Sequence, residues 1–281
     1  MPGVAQRTRY PKSPQALESL VRKQKREMPK PQTPAKRKSA AKKGTRLDLL
    51  RDLEAVANER KARDLAWFFK TGKGEYGEGD LFVGITVPVA RKIALRYCQL
   101  PLTDIAKLLA SPMHEHRFAA LEILVAQYEC GEVGRQQEIF DFYLQNTHRI
   151  NNWDLVDTSA PYIVGEHLLT RPRGKLDELA SSPSLWERRI AMVATLGLVR
   201  HGELKDTFRI ARKLLNDKEP LIHKAVGWIL REAGKVSRPE LVRFLEKHSA
   251  KMPRTTLRYA IERFSPEERK LWLSAARPVS R

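Results

Sequence analysis

From about Thr45 to Ala276 the chain repeats one pattern, and that pattern leaves few folds open. Stretches such as LDLLRDLEAVANERKARDLAWFF, TDIAKLLAS, FAALEILVAQY, QEIFDFYLQN, RIAMVATLGLV, FRIARKLL and PELVRFLEKH place apolar residues three and four apart, the spacing of one face of an α-helix. No alternating β-branched run of useful length interrupts them, and breaks such as SSPS, NDKEP, GKVSRP and AKMPR separate them. Aligning HRFAALEIL, VDTSAPYIV, RRIAMVATL, HKAVGWILR and LRYAIERF superimposes Arg117, Asp157, Arg189, Lys224 and Arg258, at spacings of 40, 32, 35 and 34 residues. Each interval has room for two helices and two turns. The expected architecture is an all-α solenoid of HEAT-like repeats whose second helices line a concave, basic groove. Four of the five aligned residues are basic, which suits a phosphate backbone; Asp157 is the one acid among them.

Two tryptophans stand at helical spacing from ionisable residues. Trp153 precedes Asp157 by four, and Trp228 follows Lys224 by four and precedes Arg231 by three. Residues so spaced share a helix face. An indole face beside a carboxylate is a receptor for a cation.

Charge narrows the partners further. The formal net charge is +19, and the first 45 residues hold 13 Lys/Arg against two Glu, a surplus of +11 that leaves +8 for the rest. Such a balance favours a polyanion. Residues 1–45, with RKQKRE, KPQTPAKRKS and AAKKG, carry few large apolar side chains and are expected to be a disordered basic tail, with at most a short helix over Pro14–Met28. Its expected partner is nucleic-acid phosphate; a solubilising extension is the plainer reading. No apolar signal core follows the early charges and no run approaches a membrane span, so the expectation is a soluble, cytoplasmic, nucleoid-associated monomer without membrane contact. Cys98 and Cys130 cannot make a zinc site alone and are expected to be buried thiols. The domain division expected is 1–45 tail, 46–276 helical repeats and 277–281 tail.

The segments FFKTGKGEYGEGDLFVGITVP, SPMHEHRFAALEILV, INNWDLVDTSAPYIVG, LWERRIAMVATL, LIHKAVGWILREAGK and MPRTTLRYAIERF resemble the AlkD-type DNA alkylation repair proteins, HEAT-like-repeat glycosylases that excise cationic alkylpurines from DNA. The resemblance covers about Leu47 to Leu273, and the motifs WDxVD, WxxR and KAxGWxLRE carry it together. It implies that Asp157, closing WDxVD, is the catalytic aspartate, and that Trp153 and Trp228 contact the lesion. Arg189, three after the WxxR tryptophan, and Arg231 of LRE would be DNA-backbone contacts. An N-terminal lesion-contacting aromatic matches Phe68 best, with Phe69 and Tyr76 as alternatives. Lys224 and Arg117 are expected to add backbone contacts, with Arg188 and Arg258 lining the groove or simply solvated. The implied partner is double-stranded DNA containing alkylated bases, with no metal and no cofactor.

The chemistry can be built from the residues. A purine alkylated at a ring nitrogen is cationic and leaves readily, so the enzyme's task is to stabilise the charge that develops on the deoxyribose. A carboxylate does this electrostatically and can orient a water towards C1′. Indoles packed on the lesioned nucleotide would add about 0.5–2 kcal/mol each as positive charge builds. Plainer readings stand beside these: Trp153 and Trp228 as core residues, Asp157 in an inter-repeat salt bridge with a neighbouring arginine, Trp186 and Trp67 packed between helices, and Trp272 as a C-terminal core anchor. Gly72, Gly74 and Gly77 satisfy GxGxxG, yet no strand precedes them and Glu75 and Glu78 would repel a pyrophosphate, so a loop is expected. His114, Glu115 and His116 lack the spacing of a metalloprotease pair and read as a helix start. No lysine sits in a Schiff-base context, which points to a monofunctional glycosylase. A catalytically silent DNA-binding relative and a HEAT-type protein scaffold are the alternatives.

Overall fold

The computed structural model describes residues 44–275. The expected N-terminal tail with its short helix, and the segment 277–281, fall outside that range apart from the last two tail positions. Among the described residues the secondary structure is helical, with one isolated bridge between Leu81 and Met113.

Helix α1 (Arg46–Glu54) starts at a capping box, where the Thr45 hydroxyl accepts from the Asp48 N–H and the Asp48 side chain accepts from the Thr45 N–H. Helix α2 (Glu59–Phe68) is capped by Asn58, and α3 (Val87–Ala94) opens with proline in its first turn, where a missing N–H costs nothing. Five helix pairs follow: α4 (Leu102–Leu109) with α5 (His114–Cys130), α6 (Val133–Gln145) with α7 (Trp153–Ala160), α8 (Gly174–Ala180) with α9 (Leu185–Arg200), α10 (Lys205–Lys213) with α11 (Pro220–Val236), and α12 (Arg238–His248) with α13 (Arg254–Ala260). Helix α14 (Pro266–Ala275) ends the described chain.

The second helices pack in sequence, α5 on α7, α7 on α9, α9 on α11 and α11 on α13. This is the α-solenoid expected from the repeat. Asp157, Arg189, Lys224 and Arg258 are each the fifth residue of their helix, and Arg117 is the fourth of α5. One apolar cluster runs through all the repeats, from Leu49 to Phe264, as in a solenoid where each repeat buries its faces only against its neighbours.

Helix α7 does not end at Ala160. It passes through a π-helical turn, Pro161–Gly165, into a last turn, Glu166–Leu168. Pro161 has no N–H to return to the preceding turn, which accounts for the widening. The widened turn lies against α9 with no side chain between them: a Cβ on Gly165 would stand 2.3 Å from the Ala194 carbonyl oxygen, and one on Gly197 2.5 Å from that of Pro161. Glycine is required at both positions, and the close approach sets the distance between α7 and α9.

Three expectations are corrected. Trp67 is 65% exposed rather than packed between helices, because it lies on the outer face of α2. Cys130 is exposed and Cys98 half-buried, its thiol donating to the Leu95 carbonyl, so neither is a buried core thiol. Trp186 and Trp272 are half-buried against the core, as expected. Among the described residues no helix is long and apolar enough to cross a membrane.

Candidate active site

The Asn152 side chain accepts from the Trp153 N–H at 2.8 Å and so starts α7. Four residues on, Asp157 is 5% exposed and meets Arg189 of α9, 4% exposed. Arg189 grips the carboxylate side-on: its Nε and Nη2 donate to Oδ1 at 3.0 and 2.8 Å, and Nη2 also donates to Oδ2 at 2.9 Å. Its Nη1 donates to the Leu221 carbonyl of α11 at 2.7 Å. One guanidinium therefore ties three consecutive second helices together and fixes the carboxylate plane. The planar fork of arginine is what makes that possible.

This geometry gives Arg189 a different task from the expected one. It is buried and directed at Asp157, not presented to a phosphate, because the equal register of the two residues on adjacent helices makes them neighbours. Arg117 likewise leaves the expected basic row. It is 4% exposed, its Nη2 donates to Asp80 Oδ1 at 2.6 Å, and its Nη1 donates to the Ser111 carbonyl at 2.8 Å. Arg188 is half-buried, with its Nε on Asp217 Oδ2 at 2.6 Å. Lys224 and Arg258 are exposed, and Arg231 is half-buried between Glu232 and Glu262.

Trp153 is half-buried, one helical turn before Asp157, in a stack of aromatic rings. Phe69 lies against it at 5.2 Å between centroids with planes 22° apart, and Phe68 meets it edge-on at 6.0 Å. Phe69 is 6% exposed and also stacks on Phe82 at 5.2 Å, so it is walled in. Phe68 and Tyr76 remain half-buried. The glycine-rich segment expected to be a loop is one, and it carries Tyr76 to within 6.2 Å of Trp186. Burial raises the Tyr76 hydroxyl pKa; hydrogen bonding to Trp153 opposes that rise. Trp228 is 9% exposed and belongs to the apolar cluster.

Beneath Trp153 lies an ionic cluster that the sequence reading did not find. The buried His114 ring, at the start of α5 as the helix-start reading expects, joins Asp80 through Nδ1 at 3.1 Å and Asp154 through Nε2 at 2.7 Å. Arg117 and Asn152 also donate to Asp80. Burial alone would push the imidazole down, but Asp154 and Asp80 raise its pKa to about 9, so it is charged at neutral pH. Phe69 and Phe82 flank its ring at 4.9 and 4.7 Å. Next to it, the Glu115 carboxylate accepts the N–H groups of Val83, Gly84 and Ile85 at 2.8–3.1 Å. The HEH segment is thus structural. The signal that could have revealed the cluster was the run of charges opening an otherwise apolar helix, but their partners stand 34 and 40 residues away. Among the described residues no group of three or more His, Cys, Asp or Glu is placed to hold a metal ion.

The model of the family described as DNA alkylation repair enzymes matches residues 49–264. Two solved structures are similar to the chain, the first of them in fold. A protein from Enterococcus faecalis described as a predicted DNA alkylation repair enzyme is 15% identical with a TM-score of 0.58, covering 75% of this chain and 97% of its own. AlkD2 from Streptococcus mutans is 18% identical with a TM-score of 0.46, covering 77% of this chain and 96% of its own. No curated protein matches the chain. The family match spans nearly the whole helical body, with Trp153, Asp157, Arg189 and Trp228 all inside it, and the chain therefore belongs to the DNA alkylation repair enzyme family.

Proposed function

We propose that this protein is a monofunctional DNA glycosylase that hydrolyses the N-glycosidic bond of cationic alkylpurines, such as 3-methyladenine and 7-methylguanine, in double-stranded DNA. The observation that carries the proposal is Asp157: a carboxylate at the edge of burial, held in a fixed plane by Arg189, one helical turn from an indole. Stabilisation of a developing sugar cation acts through space and gains from a low dielectric and a carboxylate that does not reorganise. Arg189 supplies that fixity and offsets the cost of burying the charge. Trp153, Trp228 and Phe68 or Tyr76 would lie against the lesioned nucleotide, and Lys224 and Arg231 would contact the backbone of the flanking strand. The leaving base already carries its positive charge, so no strong general acid is required.

The same geometry favours a second reading. A buried bidentate ion pair between neighbouring repeats is also what a purely structural link looks like, and a silent DNA-binding relative would keep it. Release of free methylated base from alkylated duplex DNA, by wild type and by Asp157→Asn, separates the two. Release that depends on Asp157 supports the glycosylase. No release by wild type would sink the enzymatic proposal, and undiminished release by a folded Asp157→Asn protein would remove Asp157 from its role.

A further inference from the structure

The site above is built on second helices. A separate cleft of about 390 Å³ lies between α10 and α12, the first helices of adjacent repeats. Lys205, Arg209 and Arg212 line it from α10, Arg243 and Lys247 from α12, and Glu240 is its only carboxylate. Most arginines of the described body are tied to carboxylates, and Arg209 is no exception, held by Asp206 and Asp177. Lys205, Arg212, Arg243 and Lys247 break that habit. None of the four makes an ion pair among the described residues, and all four are exposed. The local field is strongly positive: burial, and then the charges of Arg212, Lys247 and Lys251, hold the His248 imidazole below its ordinary range.

Concentrated like charge opposes folding and is unfavourable without a counter-ion. The shape of the cleft tells which polyanion fits. Lys205, Arg209 and Arg212 fall at i, i+4 and i+7 on one face of α10. That row is about 10 Å long, the axial rise of about three phosphates on one DNA strand. The floor is apolar: Phe244 is 7% exposed, and the half-buried Phe208 packs on it at 5.3 Å between centroids. Rings packed on each other, one of them buried, make a poor platform for unpaired bases, which argues against single strands. No exposed apolar side chain lines the rim to enter a bilayer, and the family acts on DNA.

We propose that the α10–α12 cleft is a second, sequence-independent contact for the phosphate backbone of duplex DNA, separate from the Asp157 site. It would hold the flank of the same duplex or a neighbouring segment during search. The proposal does not depend on Asp157 being catalytic.

The test uses the full chain and the triple variant Arg212→Ser, Arg243→Ser, Lys247→Ser, with affinity for undamaged duplex measured over a salt series. Each lost phosphate contact should lower the slope of log affinity against log salt by about 0.9, or roughly two to three in all. Both proteins keep the N-terminal tail, so its contribution cancels. Release of methylated base at saturating DNA should be unchanged. An unchanged salt slope would overturn the proposal. In the unaltered protein, undamaged duplex should also protect Lys205 and Lys247 from acetylation, read by mass spectrometry, which keeps the test alive should the triple variant fail to fold. Protection by anionic phospholipid vesicles but not by DNA, or by neither, would equally overturn it.

Discussion

Helix α7 carries two aspartates three residues apart, Asp154 half-buried and Asp157 buried, and they are partnered in different ways. Asp154 faces back to α5 and enters a cluster in which charges alternate, Asp154 with His114, His114 with Asp80, Asp80 with Arg117. Asp157 faces forward to α9 and meets one guanidinium. The first arrangement is redundant: Asp80 also accepts from Asn152, and aromatic rings flank the imidazolium. The second is gripped side-on by the Arg189 guanidinium, on two helices brought close by the backbone contact of Gly165 with Gly197. A redundant cluster suits a support for the start of α7 and for Trp153. A carboxylate held in a fixed plane by a rigid guanidinium suits a group whose charge is used on something that arrives later.

The difference can be tested first where the effect should be largest. Asp157→Asn should lower base release by about 10²–10³-fold, the scale seen when one preorganised electrostatic group is lost. It should also cost stability, up to about 3–5 kcal/mol, because Arg189 is left buried without a counter-charge. The double variant Asp157→Leu, Arg189→Met should recover most of that stability in urea unfolding yet release no base. If the double variant releases base normally, the pair is structural and the contrast with Asp154 collapses.

The redundant cluster should behave in the opposite sense. His114→Gln leaves two carboxylates without their shared cation and should cost about 3 kcal/mol in urea unfolding, with base release by the folded variant reduced tenfold at most. A loss of release as large as that of Asp157→Asn, in a protein of near wild-type stability, would give His114 a direct part in the chemistry.

A smaller effect concerns pH. The folded pKa of His114, about 9, lies above its ordinary value of 6.5, so its stabilising contribution is complete below about pH 6.5 and is lost as pH rises through about 9. The wild-type melting temperature should fall over that window, and His114→Gln should lack that component. Superimposable pH profiles would mean that the imidazole is not held charged. Smallest of all, Trp67→Ala should change stability by no more than about 0.5 kcal/mol, since the indole is 65% exposed. A larger loss would show that α2 packs more tightly than its exposed face implies.

Much of the fold was legible because a solenoid is built from local pattern. Apolar spacing located the helices, and aligning the repeat placed Asp157, Arg189, Lys224 and Arg258 at the same position of successive second helices. That alignment also contained the Asp157–Arg189 pair, since equal register on adjacent helices brings side chains together. The spacing leaves both an inter-repeat salt bridge and a row of groove residues open, because it does not say whether a side chain points outward or sideways. Arg117 illustrates the same limit: its partner Asp80 lies 37 residues earlier, in a loop that no helical period describes. Trp67 and Trp228 differ in burial, one exposed on the charge-rich α2 and the other buried in the more apolar α11.

By itself the sequence determined the helical class, the repeat length, the register of the second helices and the motifs that mark the family, because all of these are set by local periodicity and short spacing. Only the tertiary structure decided which charges are neutralised. Ion pairs depend on where two helices are brought together, and that depends on the widened turn at Pro161 and on two glycines whose contact closes the distance between α7 and α9. The basic row of the repeat is therefore not a row of equivalent cations. Arg117 and Arg189 are sealed against carboxylates, while Lys224 and Arg258 face solvent on the same layer.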